Sequence, residues 1–170
     1  MTRILAFDTS LSSPGVALVE IKRNKPYIIA VSHVKTDSKQ SHALRTQIVY
    51  AWAVAFIHEH GAKFDVIVRE DFQGRSSVQN HPVFAAWSAI DRALAEFNLN
   101  FTEKPISQSK VKRLVVGKGK AEKDEVEAAV RRLTGYTGEF ATDDCSDAVA
   151  VALAWAIEKG LIKEGGRWSM

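Results

Sequence analysis

The chain has 170 residues, of which 46% are apolar and 25% charged, so it can bury a core without disulfides or structural metal and is too apolar to be disordered. Its one cysteine, Cys145, excludes an intramolecular disulfide and a thiolate zinc cluster. A net charge of +3 and an isoelectric point near 9.0 are compatible with a polyanionic partner but do not demand one.

The opening MTRILAFDTS reaches an acid after a short apolar run, too brief for a signal-peptide core or a membrane span. A soluble, cytoplasmic protein is the expectation. Neither a linker nor an internal repeat interrupts the sequence, which predicts one domain over residues 1–170.

Residues 3–8 read as a short apolar strand ending in Asp8, and residues 15–21 as a second strand after a loop rich in Ser, Thr and Pro. A polar turn at 22–25 leads to a third strand at 27–34. From about 40 to 60 the apolar positions Leu44, Ile48, Val49, Trp52, Phe56 and Ile57 recur at helical spacing, and Gly61 stops the run. Residues 64–68 form a β-branched strand that finishes at Arg69 and Glu70.

A helix is predicted over 82–97, with Pro82 in its first turn and Val83, Trp87, Ile90, Leu94 and Phe97 along one stripe. Residues 100–106 suggest a fifth strand. Ser107 or Ser109 can cap a short helix reaching Val116, the GKGK stretch breaks it, and helical periodicity resumes over 123–133. A last helix is expected over 143–159. Three strands followed by alternating helix and strand predict an α/β protein: a five-stranded mixed sheet with helices on both faces.

Asp8 and Glu70 would end two strands, and Asp143, Asp144 and Asp147 would open the last helix. If the two strands are parallel neighbours, these acids meet at the sheet edge where α/β proteins place their sites. Gathered carboxylates repel and raise one another's pKa unless a cation neutralises them. Magnesium prefers such hard oxygen ligands, and a pair of ions suits phosphodiester hydrolysis. Taken singly, each acid has a plainer explanation: a helix cap, a turn residue, or a solvated strand end paired with Arg69. Their convergence from three places in the chain favours a site.

Basic charge is concentrated over 104–123, at Lys104, Lys110, Lys112, Arg113, Lys118, Lys120 and Lys123. Such a run by itself is usually a solvated face, although Gly117 and Gly119 would permit close approach to phosphates. Phe72, with Gly74, Arg75 and Ser76 beyond it, suggests an exposed loop able to set an aromatic beside bases. The five histidines show no metal-ligand pairing, and Trp168, near the terminus, carries no signal.

The segment VKRLVVGKGKAEKDEV followed by DCSDAVAVALA, together with ILAFDTSLSSPGVAL and the VIVRE strand, resembles the RuvC-type Holliday junction resolvases of the ribonuclease H-like superfamily. By that resemblance Asp8, Glu70, Asp144 and Asp147 would be the catalytic, metal-binding tetrad, holding two Mg2+ ions that Mn2+ can replace. Asp144 is preferred to Asp143 because its spacing to Asp147 matches the family. Lys112 and Lys123 would lie near the scissile phosphate, with Lys118, Lys120, Phe72 and Arg75 contacting DNA.

The implied activity is resolution of four-way and other branched DNA by paired cuts leaving 5′-phosphates. A homodimer would make the two cuts, with its interface expected on the helix bearing Phe84 and Trp87. Asp8-Thr9-Ser10 departs from the family's common Asp-Pro-Gly, and Phe72 stands one residue closer to the acid, which suggests a phage-like or divergent member. An actin-like or tRNA-threonylcarbamoylation-type scaffold shares a similar opening but needs Gly-rich phosphate loops in later segments, where this chain has an acidic helix. A catalytically silent junction-binding module is the other alternative, and the apparently complete acidic set argues against it.

Overall fold

The computed structural model describes residues 1–72, 74 and 76–163. Strands β1 (Thr2–Asp8), β2 (Gly15–Lys22) and β3 (Lys25–His33) form the expected antiparallel meander. Arg23 and Asn24 join β2 to β3 with φ of 51° and 62°. Two successive positive φ values give the hairpin a turn that matches the strands' twist. Strand β4 (Val66–Asp71) lies parallel to β1, and β5 (Ile106–Ser107) parallel to β4, giving the order β3-β2-β1-β4-β5.

Side chains alternate across the sheet, so each strand feeds two cores. Leu5, Phe7, Val16, Leu18 and Ile67 pack against α1 (His42–Glu59) and α2 (Ser77–Ala95). Ile4, Ala6, Ala17, Val19, Val66 and Val68 face the opposite layer, made by α3 (Gln108–Val115), α4 (Lys123–Thr134) and α5 (Asp143–Glu158). Helix α5 is apolar on every side. Cys145 and every residue from Ala148 to Ile157 are buried, because the sheet covers one side of the helix and α3 and α4 cover the other. The mixed five-stranded sheet with helices on both faces is thus as expected.

Three expectations of local structure are corrected. Helix α2 begins at Ser77, not at Pro82: the Ser76 hydroxyl accepts from the Gln79 N–H, and Pro82 sits inside the helix. Pro82 is the sixth residue of the helix, beyond the first turn, and gives up the N–H that would bond the Val78 carbonyl, so the preference of proline for first turns marks the wrong boundary here. The fifth strand shrinks from seven residues to Ile106–Ser107, because Thr102 already ties its segment to β4 through Ile67. In α1, which starts at His42, Leu44 is exposed and Arg45 takes the buried place on that turn.

Gly15 decides how closely α5 approaches the sheet. A Cβ there would stand 2.2 Å from the Asp144 carbonyl oxygen. Gly15→Ala therefore has to push the first turn of α5 off the sheet, and a loss of about 1–3 kcal/mol is expected. Urea unfolding monitored by circular dichroism measures it; unchanged stability would contradict the tight β2–α5 contact.

Candidate active site

Strand parity assembles the acids. Phe7 is in register with Arg69 on neighbouring parallel strands. The next residues, Asp8 and Glu70, share the face of Ile4, Ala6, Val66 and Val68, which is the face α5 covers. Asp144 and Asp147, three residues apart on the first turns of α5, meet them from above. Asp8, Asp144 and Asp147 each place one oxygen so that all three lie within 4.8 Å of one another, and each keeps partial exposure. Glu70 joins through a side-chain hydrogen bond with Asp8.

The electrostatics of the cluster are frustrated. Burial raises the Asp8 carboxyl well above the ordinary range, and Glu70, Asp147 and Asp144 push it further. Burial and then Asp147 raise Glu70 to about 7, although the hydrogen bond from Asp8 and the charge of Lys112 pull the other way. Asp147 rises to about 6, mainly by burial, against the opposing pull of Lys123. A set of hard oxygen donors that cannot all ionise at neutral pH fits a divalent cation. The cluster could hold a metal ion.

Asp143 takes a separate position, its Oδ2 lying 3.5 Å from Lys123 Nζ. Lys123 is mostly exposed; desolvation lowers its pKa, but Asp147, Asp143 and Asp144 outweigh that and raise it. Lys112, on α3, lines the same hollow as Glu70 and Asp147, together with Gln108, Val111, Val126 and Ala150. Lys118 is turned to Glu125 at 2.5 Å, and Lys120 is exposed. Gly117 adopts φ 103°, a value that suits glycine, as the chain turns between α3 and α4. Phe72 is 43% exposed just beyond β4, whereas Arg75 and Trp168 lie outside the described residues.

Arg69 does not pair with Glu70. It projects to the other face, where its guanidinium stacks on Trp87 and Phe101 at 3.9 and 4.3 Å from the ring centroids and approaches Asp91 at 3.5 Å. Burial lowers its pKa.

Sequence reasoning missed the support beneath Asp144. The Ser13 hydroxyl donates to Asp144 Oδ2 at 2.5 Å across 131 residues of sequence. Its loop is braced in turn. Arg45 Nε donates to Thr36 Oγ1 and Arg45 Nη2 to Ser12 Oγ, both at 2.9 Å, while the Thr36 hydroxyl donates to the Leu11 carbonyl at 2.6 Å. The only sequence signal was a cluster of hydroxyl residues after β1.

Comparison with known proteins identifies the family. The family model for the crossover junction endodeoxyribonuclease RuvC matches residues 4–155. The crossover junction endodeoxyribonuclease RuvC of Heliobacterium modesticaldum is 34% identical over 153 residues, spanning 90% of this chain and 93% of the relative. Among solved structures, Thermus thermophilus RuvC in complex with a Holliday junction substrate superposes with a TM-score of 0.80 at 22% identity, covering 94% of this chain and 95% of that one. The yeast mitochondrial Holliday junction resolvase follows at 0.53 and 17%, covering 95% of this chain and 80% of that one. These two likenesses concern the fold; the family is shown by the matched residues and by the Heliobacterium relative. This chain belongs to the RuvC family of crossover junction endodeoxyribonucleases.

Proposed function

We propose that the protein resolves Holliday junctions and related branched DNA by hydrolysing phosphodiesters in opposed strands. The single observation carrying this reading is the convergence of Asp8, Asp144 and Asp147 with Glu70 at one sheet edge. In this reading Asp8 and Asp147 anchor divalent ions, Glu70 and Asp144 complete their shells, and Mg2+ is the resident metal, with Mn2+ able to substitute. When bound, such ions lower the pKa of water and stabilise a leaving oxyanion.

The chain's own residues do the rest. Ser13 holds the Asp144 carboxylate in place, and Lys112 and Lys123 flank the acids, where they orient the phosphate and stabilise its developing charge. Lys120 extends the basic rim along the strand, and Lys118 joins it on release from Glu125. Phe72 and Arg75 contact bases and backbone beyond the cut.

A junction requires two symmetric cuts, so the reading includes a two-fold dimer. Helix α2 supports it by exposing Val78 near its start and, further along, Phe84 at a hollow of about 390 Å3 lined also by Trp87, Ser88, Asp91, Arg92 and Ala95. Among the described residues no helix is long and apolar enough to cross a membrane, which suits action on cytoplasmic DNA in a bacterial cell or a phage-infected host.

Incubation with a synthetic four-way junction and with linear duplex, with and without Mg2+, tests the function. Symmetric nicks confined to the junction and requiring metal are expected, and Asp8→Asn abolishes them while leaving junction binding. Equal cutting of duplex would exclude a resolvase. Sedimentation checks the dimer: the native chain should run as two copies and Phe84→Glu as one, with loss of paired cuts.

The acids also set a pH dependence for the metal-free protein. Folded Glu70 and Asp147 titrate near 7 and 6, above the 4.5 and 3.8 of ordinary Glu and Asp, so the folded state binds more protons across that interval. Stability then falls as pH rises from about 4 to about 7. Thermal melts without metal should give a lower Tm at about pH 8 than at about pH 5, and Mg2+ should raise it more at the higher pH. Asp8→Asn should weaken both effects; a metal-free Tm that rises over this range would contradict the assignment.

A further inference from the structure

Asp144 is held by the Ser13 hydroxyl, but among the described residues Asp8 and Glu70 have only each other as side-chain hydrogen-bond partners. Their placement therefore depends on the ends of β1 and β4, and on what fixes the residue before each acid. Those two residues, Phe7 and Arg69, are partners in the parallel register and point to the face opposite the acids. One aromatic ring meets both. Phe101 lies edge-on to Phe7 with ring centroids 6.1 Å apart, and the Arg69 guanidinium carbon stands 4.3 Å from the Phe101 centroid. Trp87 of α2 approaches the same guanidinium at 3.9 Å.

Phe101 is itself tied to β4 through the next residue. The Ile67 N–H donates to the Thr102 hydroxyl at 2.9 Å, and the Thr102 N–H donates to the Ile67 carbonyl at 3.0 Å. Stacking rather than hydrogen bonding holds Arg69. Its Nε and Nη1 are buried without a hydrogen-bond partner, and its ion-pair contact with Asp91 Oδ1 is 3.5 Å long. Burying a cation in this way is costly, and the faces of two rings offset part of that cost. A planar guanidinium can lie over two rings at once, whereas a lysine ammonium has no plane to offer. The cations acting on Glu70 and Asp147 are Lys112 and Lys123, so what Arg69 supplies is position and not charge.

We propose that Arg69 is a positioning residue: stacked on Trp87 and Phe101 it fixes the end of β4, and Phe101 and Phe7 fix the end of β1, so that Glu70 and Asp8 are held at the spacing a divalent ion requires. The proposal rests on the metal-dependent function above. Strand geometry carries the effect over one residue, because turning Arg69 about the strand axis turns Glu70 with it. Residues that orient metal ligands in this way change metal affinity by about 10–100-fold when they are lost.

The test is Mn2+ binding without DNA, followed by the electron paramagnetic resonance signal of the free ion. Each variant is measured well below its own Tm, where a loss of stability alone does not move the affinity of the folded protein. Arg69→Leu and Arg69→Lys should both weaken Mn2+ binding by about tenfold or more, the second despite keeping the charge. Phe101→Leu should weaken it as well, while Phe101→Tyr and Trp87→Phe, which keep a ring, should bind as the native protein does. Where Arg69→Leu does not fold, Arg69→Lys and the Phe101 pair decide the matter. Native-like affinity in folded Arg69→Lys, or in folded Phe101→Leu, overturns the positioning role. A native protein that binds no Mn2+ removes the metal-dependent reading instead, and the positioning role with it.

Discussion

Four carboxyl groups that repel one another are held together by apolar packing several residues away from them. Asp8 and Glu70 end strands whose preceding residues are buried on both faces, and Asp144 and Asp147 open a helix that is buried almost to its end. None of these elements can retract its acid without exposing its own core. Burial among these elements is the main reason the Asp8, Glu70 and Asp147 carboxyls lie above the ordinary range, with neighbouring carboxylates adding to it.

That arrangement explains which parts of the site could be read from the sequence. The unbroken apolar runs of β1 and β4 and the apolar length of α5 are local signals, so the three acidic elements and their common edge were legible, as was the mixed five-stranded sheet. The contest between Asp143 and Asp144 turned on spacing, and the geometry separates the two side chains: Asp144 faces Asp8 and Asp147, while Asp143 faces Lys123.

What escaped notice has no periodic signature. Ser13 reaches Asp144 from a loop 131 residues away, and Gly15 matters only because α5 happens to press on it. Arg45 carries no periodic signal, yet it is buried and its guanidinium braces the loop that carries Ser13. The start of α2 differs from the expected one because the Ser76 cap, six residues before Pro82, begins the helix earlier. Long-range polar contacts and caps depend on which segments meet, and the meeting is a property of the assembled core.

Because α5 is both the centre of one core and the bearer of two acids, stability and chemistry are linked in a single element. A substitution that loosens its packing against β1 and β2 displaces Asp144 and Asp147 together, and changes of about 1 Å are enough to spoil a catalytic geometry. A substitution that removes an acid relieves repulsion, so it should stabilise the metal-free fold while, on the proposed function, destroying the site, the trade-off expected where function requires like charges in contact. The hydrogen bond from Ser13 lies between these extremes. It holds one carboxylate at a fixed angle without neutralising it, which leaves the negative charge of the cluster available to a cation.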